Sequence, residues 1–213
     1  FRLPDEISFE QGAIMMCSSA TSFHALRKGR LTAGETLAVF GAGGLGMSAI
    51  QLAIAMGALD VYAVDIDEER LAMAERFGAT PIDASDADPV DKIRDLTDGK
   101  GVDVSLELIG LPLTMHQAVQ SLAVFGRAVM VGIASQPLEV DTYTELLGRE
   151  AEVIGAADHL LQELPLLIEY THRGVLDLSG VVTGTIPLDA DAINGALDRL
   201  DDFGTGVRTV ITP

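Results

Sequence analysis

Six residues in the first quarter of the chain have the spacing of a phosphate-binding turn. The segment 41–46, GAGGLG, matches the pattern G-x-G-x-x-G. Gly41 would make the tight turn out of a strand, Gly43 would leave room for a pyrophosphate at the backbone, and Gly46 would let a helix pack closely on that strand. The motif predicts a dinucleotide site, and a doubly wound domain with an incidental glycine turn is the alternative.

Residues in and after this turn predict which charged groups of a ligand are accepted and which are repelled. The N–H groups of Gly44 and Leu45 would open a helix, where the helix dipole favours an anion. Asp65 follows 19 positions after Gly46, at the end of the next predicted strand. A carboxylate there accepts both ribose hydroxyls of adenosine and repels a 2′-phosphate, and no Arg or Lys occupies residues 66–69. NAD is therefore the predicted cofactor rather than NADP.

Strands and helices that could position this turn alternate along the first two thirds of the chain. Apolar runs of strand length are separated by helical patterns, one of which has Pro89 near its first turn. This alternation predicts an α/β fold, a Rossmann doubly wound parallel sheet with helices on both faces. The predicted strands are 36–40, 60–65, 81–83, 102–110 and 127–133, and the helices are 45–58, 68–78, 88–99 and 113–123.

Both ends of the chain depart from this alternation. The first 30 residues read as a helix, a small-residue loop and a second helix, which belong to the edge of another unit. The region after residue 135 is more irregular. Its predicted elements are an extended piece at 138–140, a buried strand near 152–155, a helix at 160–173, a strand at 181–186, a helix at 189–202 and a strand at 207–212.

Composition excludes several classes of function. The chain has 213 residues, 48% of them hydrophobic, and a net charge of −18. A surface that acidic repels nucleic acid and anionic lipid. No run of eighteen apolar residues and no signal peptide is visible, so no membrane span is expected. Cys17 is the single cysteine, which excludes an intrachain disulfide and fits a cytoplasmic protein.

From residue 12 onward the chain resembles the C-terminal portion of medium-chain zinc-dependent alcohol dehydrogenases. The resemblance covers nearly the whole chain, and the motifs occur in the family's order. The segments that carry it are MMCSSATSFHAL (15–26), VFGAGGLG (39–46), VYAVDIDEERLAMAERFGA (61–79), SLELIG (105–110), VMVGI (129–133) and VRTVIT (207–212).

This resemblance implies further cofactor contacts. In the family, one threonine lies behind the nicotinamide ring, a basic residue touches the adenosine ribose, and an arginine lies near the pyrophosphate. Two backbone segments pack on the adenine and hold the nicotinamide carboxamide. The matching residues here are Thr21, Ile66, Arg70, Leu108, Ile109, Gly110, Val131, Ile133 and Arg208.

Several of these residues have a purely structural alternative. Ile109, Val131 and Ile133 would be apolar core in any such sheet. Arg70 could lie on a solvated helix face. His24, in the phrase SFHAL, is expected to be structural rather than a metal ligand, and the other three histidines are expected to face solvent.

Cys17 matches the position at which these alcohol dehydrogenases carry the third protein ligand of the catalytic zinc. Thiolate suits Zn²⁺, and catalytic sites use three protein ligands and an open position. The cysteine favours the alcohol or aldehyde branch, because polyol and threonine dehydrogenase relatives usually carry a carboxylate near here. The alternative is a small buried residue, since free cysteine packs well.

The resemblance also implies a division of the chain. Residues 1–17 would end a GroES-like catalytic domain, 18–157 would form the NAD-binding Rossmann domain, and 158–213 would return to the catalytic domain. No second cysteine and no GHE-type segment match the rest of that domain. The chain is therefore expected to bind NAD(H) without oxidising alcohols by itself.

The expected whole protein transfers hydride between NAD and a small alcohol, aldehyde or ketone, with zinc as its metal. It is expected to form a homodimer or homotetramer through the sheet edge near residues 138–140. Two other functions stay open. One is a zinc-independent quinone or enoyl reductase, against which Asp65 and Cys17 argue. The other is a free-standing NAD-binding module with no chemistry.

Overall fold

In the computed structural model, which describes residues 1–201 and 206–213, strands and helices alternate through residue 130 as predicted. The larger sheet contains six strands, with helices packed on both sides. The strands are β1 (Thr36–Phe40), β2 (Asp60–Asp65), β3 (Thr80–Asp83), β4 (Val102–Glu107), β5 (Leu122–Met130) and β6 (Glu152–Gly155). The helices before β6 are α1 (Phe9–Ile14), α2 (Ala20–Lys28), α3 (Gly44–Ala55), α4 (Glu68–Arg76), α5 (Pro89–Leu96) and α6 (Pro112–Gln120).

The six strands lie in the order β3-β2-β1-β4-β5-β6, and every pair is parallel. This is the strand order of a Rossmann fold, so the predicted fold class is confirmed. Alternate residues of β1 enter two different hydrophobic cores: Leu37 and Val39 join one, and Ala38 and Phe40 join the other. Burial on both faces explains why the strands read as continuous apolar runs.

Local sequence sets where the helices that pack on this sheet begin. Asp67 accepts hydrogen bonds from the N–H groups of Glu69 and Arg70 at the start of α4. Asp88 caps α5 in the same way, and Pro89 occupies its first turn. These side chains satisfy N–H groups that have no partner within the helix. The four helices α3 to α6 therefore begin within one residue of the predicted positions, whereas β5 begins five residues before its predicted start at residue 127.

The N-terminal segment differs from the prediction. The expected small-residue loop is a π-helix, Met15–Ser19, that joins α1 to α2. Its buried serines lie against α3: Ser19 Oγ is 3.0 Å from Ser48 Oγ, and Ser22 Oγ, in α2, donates to the carbonyl of Leu45 over 2.7 Å. The loop prediction was wrong because these small side chains serve close helix packing.

The region after β5 also differs from the predicted elements. Residues 138–140 form no strand in the described structure, and Leu138 and Val140 pack partly buried on one of the cores. A π-helix, Thr142–Leu146, and a short 3-10 helix, Leu147–Arg149, follow. β6 is then the edge of the sheet, and most of its residues are exposed rather than buried as predicted.

A second, two-stranded sheet lies near the C-terminus. β7 (Val182–Pro187) pairs in parallel with β8 (Arg208–Thr212). A 3-10 turn, Leu161–Glu163, leads into α7 (Leu164–His172), and α8 (Ala190–Asp201) follows β7. Residue 202, the predicted end of α8, lies outside the described residues. Within residues 1–201 and 206–213, we find no helix with the length and apolar character of a membrane span.

Candidate functional site

A cleft of about 890 Å³ opens at the carboxyl ends of the strands, beside the point where β1 and β4 are neighbours. The chain runs outward from β1 to β2 on one side and from β4 to β5 on the other. Open α/β sheets bind ligands at such a switch point. Most of the predicted cofactor residues line this cleft: Gly41, Gly43, Gly44, Leu45, Gly46, Asp65, Ile66, Arg70, Leu108, Ile109 and Arg208.

The three motif glycines have three different surroundings. Gly41 has a φ of +100°, which L side chains rarely adopt. A Cβ on Gly46 would overlap the carbonyl oxygen of Gly41, so helix α3 packs directly on the turn. A Cβ on Gly43 would meet no described heavy atom within 4 Å, so this residue faces open space in the cleft. The turn thus presents bare backbone to a ligand at Gly43.

Asp65 holds the turn as well as facing the cleft. Its Oδ2 accepts a hydrogen bond from the N–H of Ala42 over 2.7 Å. Its Oδ1 accepts from the N–H groups of Ile66 and Asp67 over 2.8 and 3.1 Å. The residue is 7% exposed. Because a carboxylate has about four acceptor sites and three are used, one remains for a ligand hydroxyl.

Two guanidinium groups lie at this cleft without full hydrogen bonding. Arg208 reaches Gly44 so closely that a Cβ there would collide with its Nε. Among the described residues, the buried Nε atoms of Arg208 and Arg70 have no hydrogen-bond partner. Arg70 Nε lies 3.5 Å from Asp67 Oδ2. Unsatisfied buried donors beside a helix N-terminus fit an anionic ligand, so the residues present suit a dinucleotide pyrophosphate.

Four predicted cofactor residues lie outside the cleft lining. Thr21 is buried on α2, and Val131 is half-buried beyond the end of β5. A Cβ on Gly110 would lie 2.9 Å from the backbone nitrogen of Ile133, so these two segments touch. The side chain of Ile133 is 96% exposed, which contradicts the alternative that it is core, because β5 ends three residues earlier.

Glu107, which lies beneath the cleft, and several residues that line it were not predicted from the sequence. Thr114 Oγ1 donates to Glu107 Oε1 over 2.7 Å. A glutamate as the last residue of a buried apolar strand was the available signal, because such a charge needs partners. The other lining residues that were missed include Leu111, Leu113, Gln117 and Val207.

Cys17 is exposed and lies in the first π-helix. The alternative that it is a small buried residue is therefore wrong. Within the described part of the chain, no group of three or more His, Cys, Asp or Glu side chains could hold a metal ion. These residues alone do not form a zinc site.

Instead of forming a metal site, three of the histidines lie beside carboxylate groups. His24 Nδ1 lies 3.2 Å from the buried carboxylate of Glu163, as expected for a structural role. His116 Nε2 lies 2.7 Å from Glu145 Oε1, and His159 Nδ1 lies 2.6 Å from Asp158 Oδ1. The expectation that His159 faces solvent was wrong, since its side chain is mostly buried.

Comparison with known proteins identifies relatives over the full chain. It is 35% identical over 214 residues to (R,R)-butanediol dehydrogenase of Bacillus subtilis, covering all of this chain and 60% of that protein. It is 33% identical to an NAD-dependent alcohol dehydrogenase of Sulfurisphaera tokodaii, covering 97% of this chain and 59% of the relative. The chain thus spans about 60% of the length of these relatives.

Solved structures agree with the sequence matches. The crystal structure of the Bacillus subtilis butanediol dehydrogenase superposes with a TM-score of 0.89 over all of this chain and 60% of that one. An alcohol dehydrogenase from Aeropyrum pernix, 32% identical, gives a TM-score of 0.88 over all of this chain and 61% of that one. A family described as zinc-binding dehydrogenase matches residues 44–169, more than half of the chain. The chain therefore belongs to the zinc-binding dehydrogenase family.

Proposed function

We propose that this chain is the cofactor-binding portion of an NAD-dependent, zinc-dependent alcohol dehydrogenase. The whole protein transfers hydride between NAD and a small alcohol, aldehyde or ketone. The chain by itself binds NAD(H) but does not oxidise alcohols. The observation that supports this most directly is the buried Nε of Arg208 beside the glycine turn, which has no hydrogen-bond partner among the described residues.

The adenosine and pyrophosphate half of the site uses residues that line the cleft. The pyrophosphate approaches Gly43, the first N–H groups of α3 and Arg208. Asp65 offers its remaining acceptor site to a ribose hydroxyl, and Arg70 lies on the same side. The exposed side chains of Ile66 and Ile109 cover the two faces of the adenine.

The nicotinamide half uses the segments outside the cleft lining. Thr21 lies behind the ring, and the backbone of Val131 and Ile133 orients the carboxamide. NAD, when bound, supplies the nicotinamide carbon that accepts the hydride. This chain's part is to fix the ring's position, because hydride transfer depends on geometry.

Cys17 supplies one thiolate ligand for zinc in this proposal, and its exposure in the first π-helix suits that role. Further ligands must come from residues beyond those described. Residues 1–17 and 158–213 then flank the Rossmann domain of 18–157 and contribute to a GroES-like catalytic domain. The protein forms a homodimer or homotetramer, and β6, rather than residues 138–140, offers the free sheet edge.

The test compares two glycine substitutions in the 213-residue chain. Gly43 and Gly155 each have no described heavy atom within 4 Å of an added Cβ, but only Gly43 lines the cleft. We expect Gly43→Ala to raise the Kd for NADH at least about tenfold, as for one lost charge-assisted hydrogen bond. Gly155→Ala should leave the Kd unchanged, and neither substitution should lower the thermal unfolding midpoint.

Titration calorimetry measures these constants directly. Failure of the unaltered chain to bind NADH would overturn the proposal, as would equal binding by Gly43→Ala. Tighter binding of NADPH than NADH would instead favour the quinone or enoyl reductase. Zinc content and alcohol-dependent NADH formation of the whole protein then separate a dehydrogenase from a binding module.

A further inference from the structure

The strongest unexplained group in the chain is the carboxyl of Glu107. Its side chain is 0% exposed, and Oε2 has no hydrogen-bond partner among the described residues. We propose that Glu107 is the positioning residue that holds together two turns: 108–111, whose Ile109 lies on the adenine side, and 131–133, which orients the nicotinamide. This inference rests on the NAD site proposed above and names the residue that sets its geometry.

The side chain of Glu107 holds the first turn. Its Oε1 accepts hydrogen bonds from the N–H groups of Ile109 and Gly110 over 3.0 and 2.8 Å. The hydroxyl of Thr114, at the start of α6, donates to the same oxygen over 2.7 Å. Three donors on one buried oxygen fix the turn and the helix that follows it, because the two N–H groups would otherwise be left unsatisfied.

The backbone of Glu107 holds the second turn. Its carbonyl oxygen accepts from the N–H groups of Val131 and Gly132 over 2.9 and 3.0 Å. These two bonds lie just beyond the end of β5, where strand pairing has stopped. One residue therefore holds both the turn on the adenine side of the site and the turn on its nicotinamide side.

The two turns touch each other around this residue. A Cβ on Gly132 would lie 2.6 Å from Glu107 Oε2 and 2.7 Å from the Cα of Gly110. Gly110 itself has a φ of +90° and lies against the backbone of Ile133. With no space between them, a shift in either turn moves the other, since packed interiors leave no slack.

The hydrogen bonds that Glu107 accepts, rather than its negative charge, explain how it holds the two turns. Oε2 has no cation or donor within hydrogen-bond distance in the described structure, so all bonding passes through Oε1 and the backbone carbonyl. A glutamine retains an acceptor oxygen in that place, whereas an alanine leaves Ile109 N–H and Gly110 N–H without a partner. Glu107→Gln therefore tests the loss of the charge, and Glu107→Ala tests the loss of the hydrogen-bond acceptor as well.

The test measures the Kd for NADH and for ADP-ribose, which lacks only the nicotinamide. The chain has no Trp, so NADH fluorescence excited directly and titration calorimetry are the suitable methods. We expect Glu107→Ala to raise the Kd for NADH about tenfold more than the Kd for ADP-ribose. The two unsatisfied amides would loosen the first turn and, through it, the turn 131–133 that orients the nicotinamide. Glu107→Gln should restore the ratio of the two constants to within about threefold of the unaltered chain.

Glu163→Ala is the matched control, because Glu163 is another buried glutamate that accepts from a backbone N–H, that of Leu160, but bonds to neither turn. It should leave the ratio unchanged even where it lowers stability. If Glu107→Ala does not fold, Gly132→Ala tests the same contact from the other side and should raise the ratio. An unchanged ratio in whichever of these two variants folds would overturn the inference. Failure of the unaltered chain to bind either ligand would instead overturn the proposed function.

Discussion

The two parallel sheets of this chain bury their strands in different ways. In β1 of the six-stranded sheet every residue after the first is buried, and the strand is apolar on both faces. In β7 of the two-stranded sheet, half-buried residues alternate with exposed ones. Parallel strands are normally covered on both sides. The larger sheet carries its own cover of helices, whereas the smaller one is covered on one side.

Apolar side chains are exposed around the smaller sheet. Leu188 is 71% exposed and Ile211 is 46% exposed, and Leu197 on α8 is exposed as well. Clustered exposed apolar residues indicate a surface that another part of a protein contacts. The contrast supports the proposal that residues 158–213 contribute to a further domain, although Leu164, Leu167 and Val181 of this segment also pack in the core of the larger sheet.

The largest expected effect comes from a pair of truncations, one in each sheet. Leu106, in β4, is fully buried, so Leu106→Ala should lower the free energy of unfolding by about 3 kcal/mol. Ile211→Ala, in β8, should cost less than about 1 kcal/mol because its side chain is already partly in water. Urea denaturation of both variants measures the difference. Equal losses would show that the smaller sheet is packed as tightly as the larger one.

The second effect concerns an ion pair that spans the larger sheet. Arg127, on β5, donates to both carboxylate oxygens of Glu35, before β1, over 2.8 to 2.9 Å. Glu35→Gln should cost about 2 kcal/mol, the loss of a charge-assisted pair. Unfolding of Thr183→Val, which loses hydrogen bonds in the smaller sheet, provides the comparison and should show a smaller loss.

This ion pair also gives a pH dependence with a definite sign. Burial raises the pKa of Glu35, but hydrogen bonds from Arg127 and the Thr32 N–H, with the Arg127 charge, outweigh it and leave the pKa below the ordinary 4.5. Because the folded pKa is depressed, the stabilisation is present above pH 4.5 and is lost as pH falls through the folded pKa. The stability gap between the unaltered chain and Glu35→Gln should narrow in that window. A gap that stays constant there would contradict this assignment.

A smaller effect tests a link between the two sheets at the cofactor cleft. Arg208 lies in β8 of the smaller sheet and reaches Gly44 at the start of α3. Arg208→Gln should raise the Kd for ADP about tenfold while leaving that for adenosine within about twofold, since only ADP carries the pyrophosphate. Equal changes for both ligands would remove Arg208 from the pyrophosphate site. Hydrogen exchange of β8 should also slow when NADH binds.

The smallest effect is expected at Cys17. Its exposure predicts that Cys17→Ser changes the free energy of unfolding by no more than about 0.5 kcal/mol. The Kd for NADH should also be unchanged, because the residue does not line the cleft. Thermal unfolding and NADH titration check both values. A large loss of stability would show that the cysteine serves packing rather than metal binding.

The sequence alone predicted the fold and the glycine turn because both depend on short-range patterns. Apolar runs separated by helical periods identify parallel strands, and G-x-G-x-x-G specifies the backbone of one turn. The irregular regions were harder for the opposite reason. The first π-helix, Met15–Ser19, was predicted as a loop because its serines are small and polar, and only their burial against α3 makes the segment helical.

Length, charge, the alternation of strands and helices and the cofactor turn were thus determined by the sequence, since each follows from neighbouring residues or from composition. Tertiary structure alone decided that Arg208 meets Gly44, and that the backbone of Glu107 contacts Val131. It also decided that β6, not residues 138–140, ends the sheet. These contacts join residues far apart in the chain, and their geometry follows from packing around a shared core rather than from any local preference.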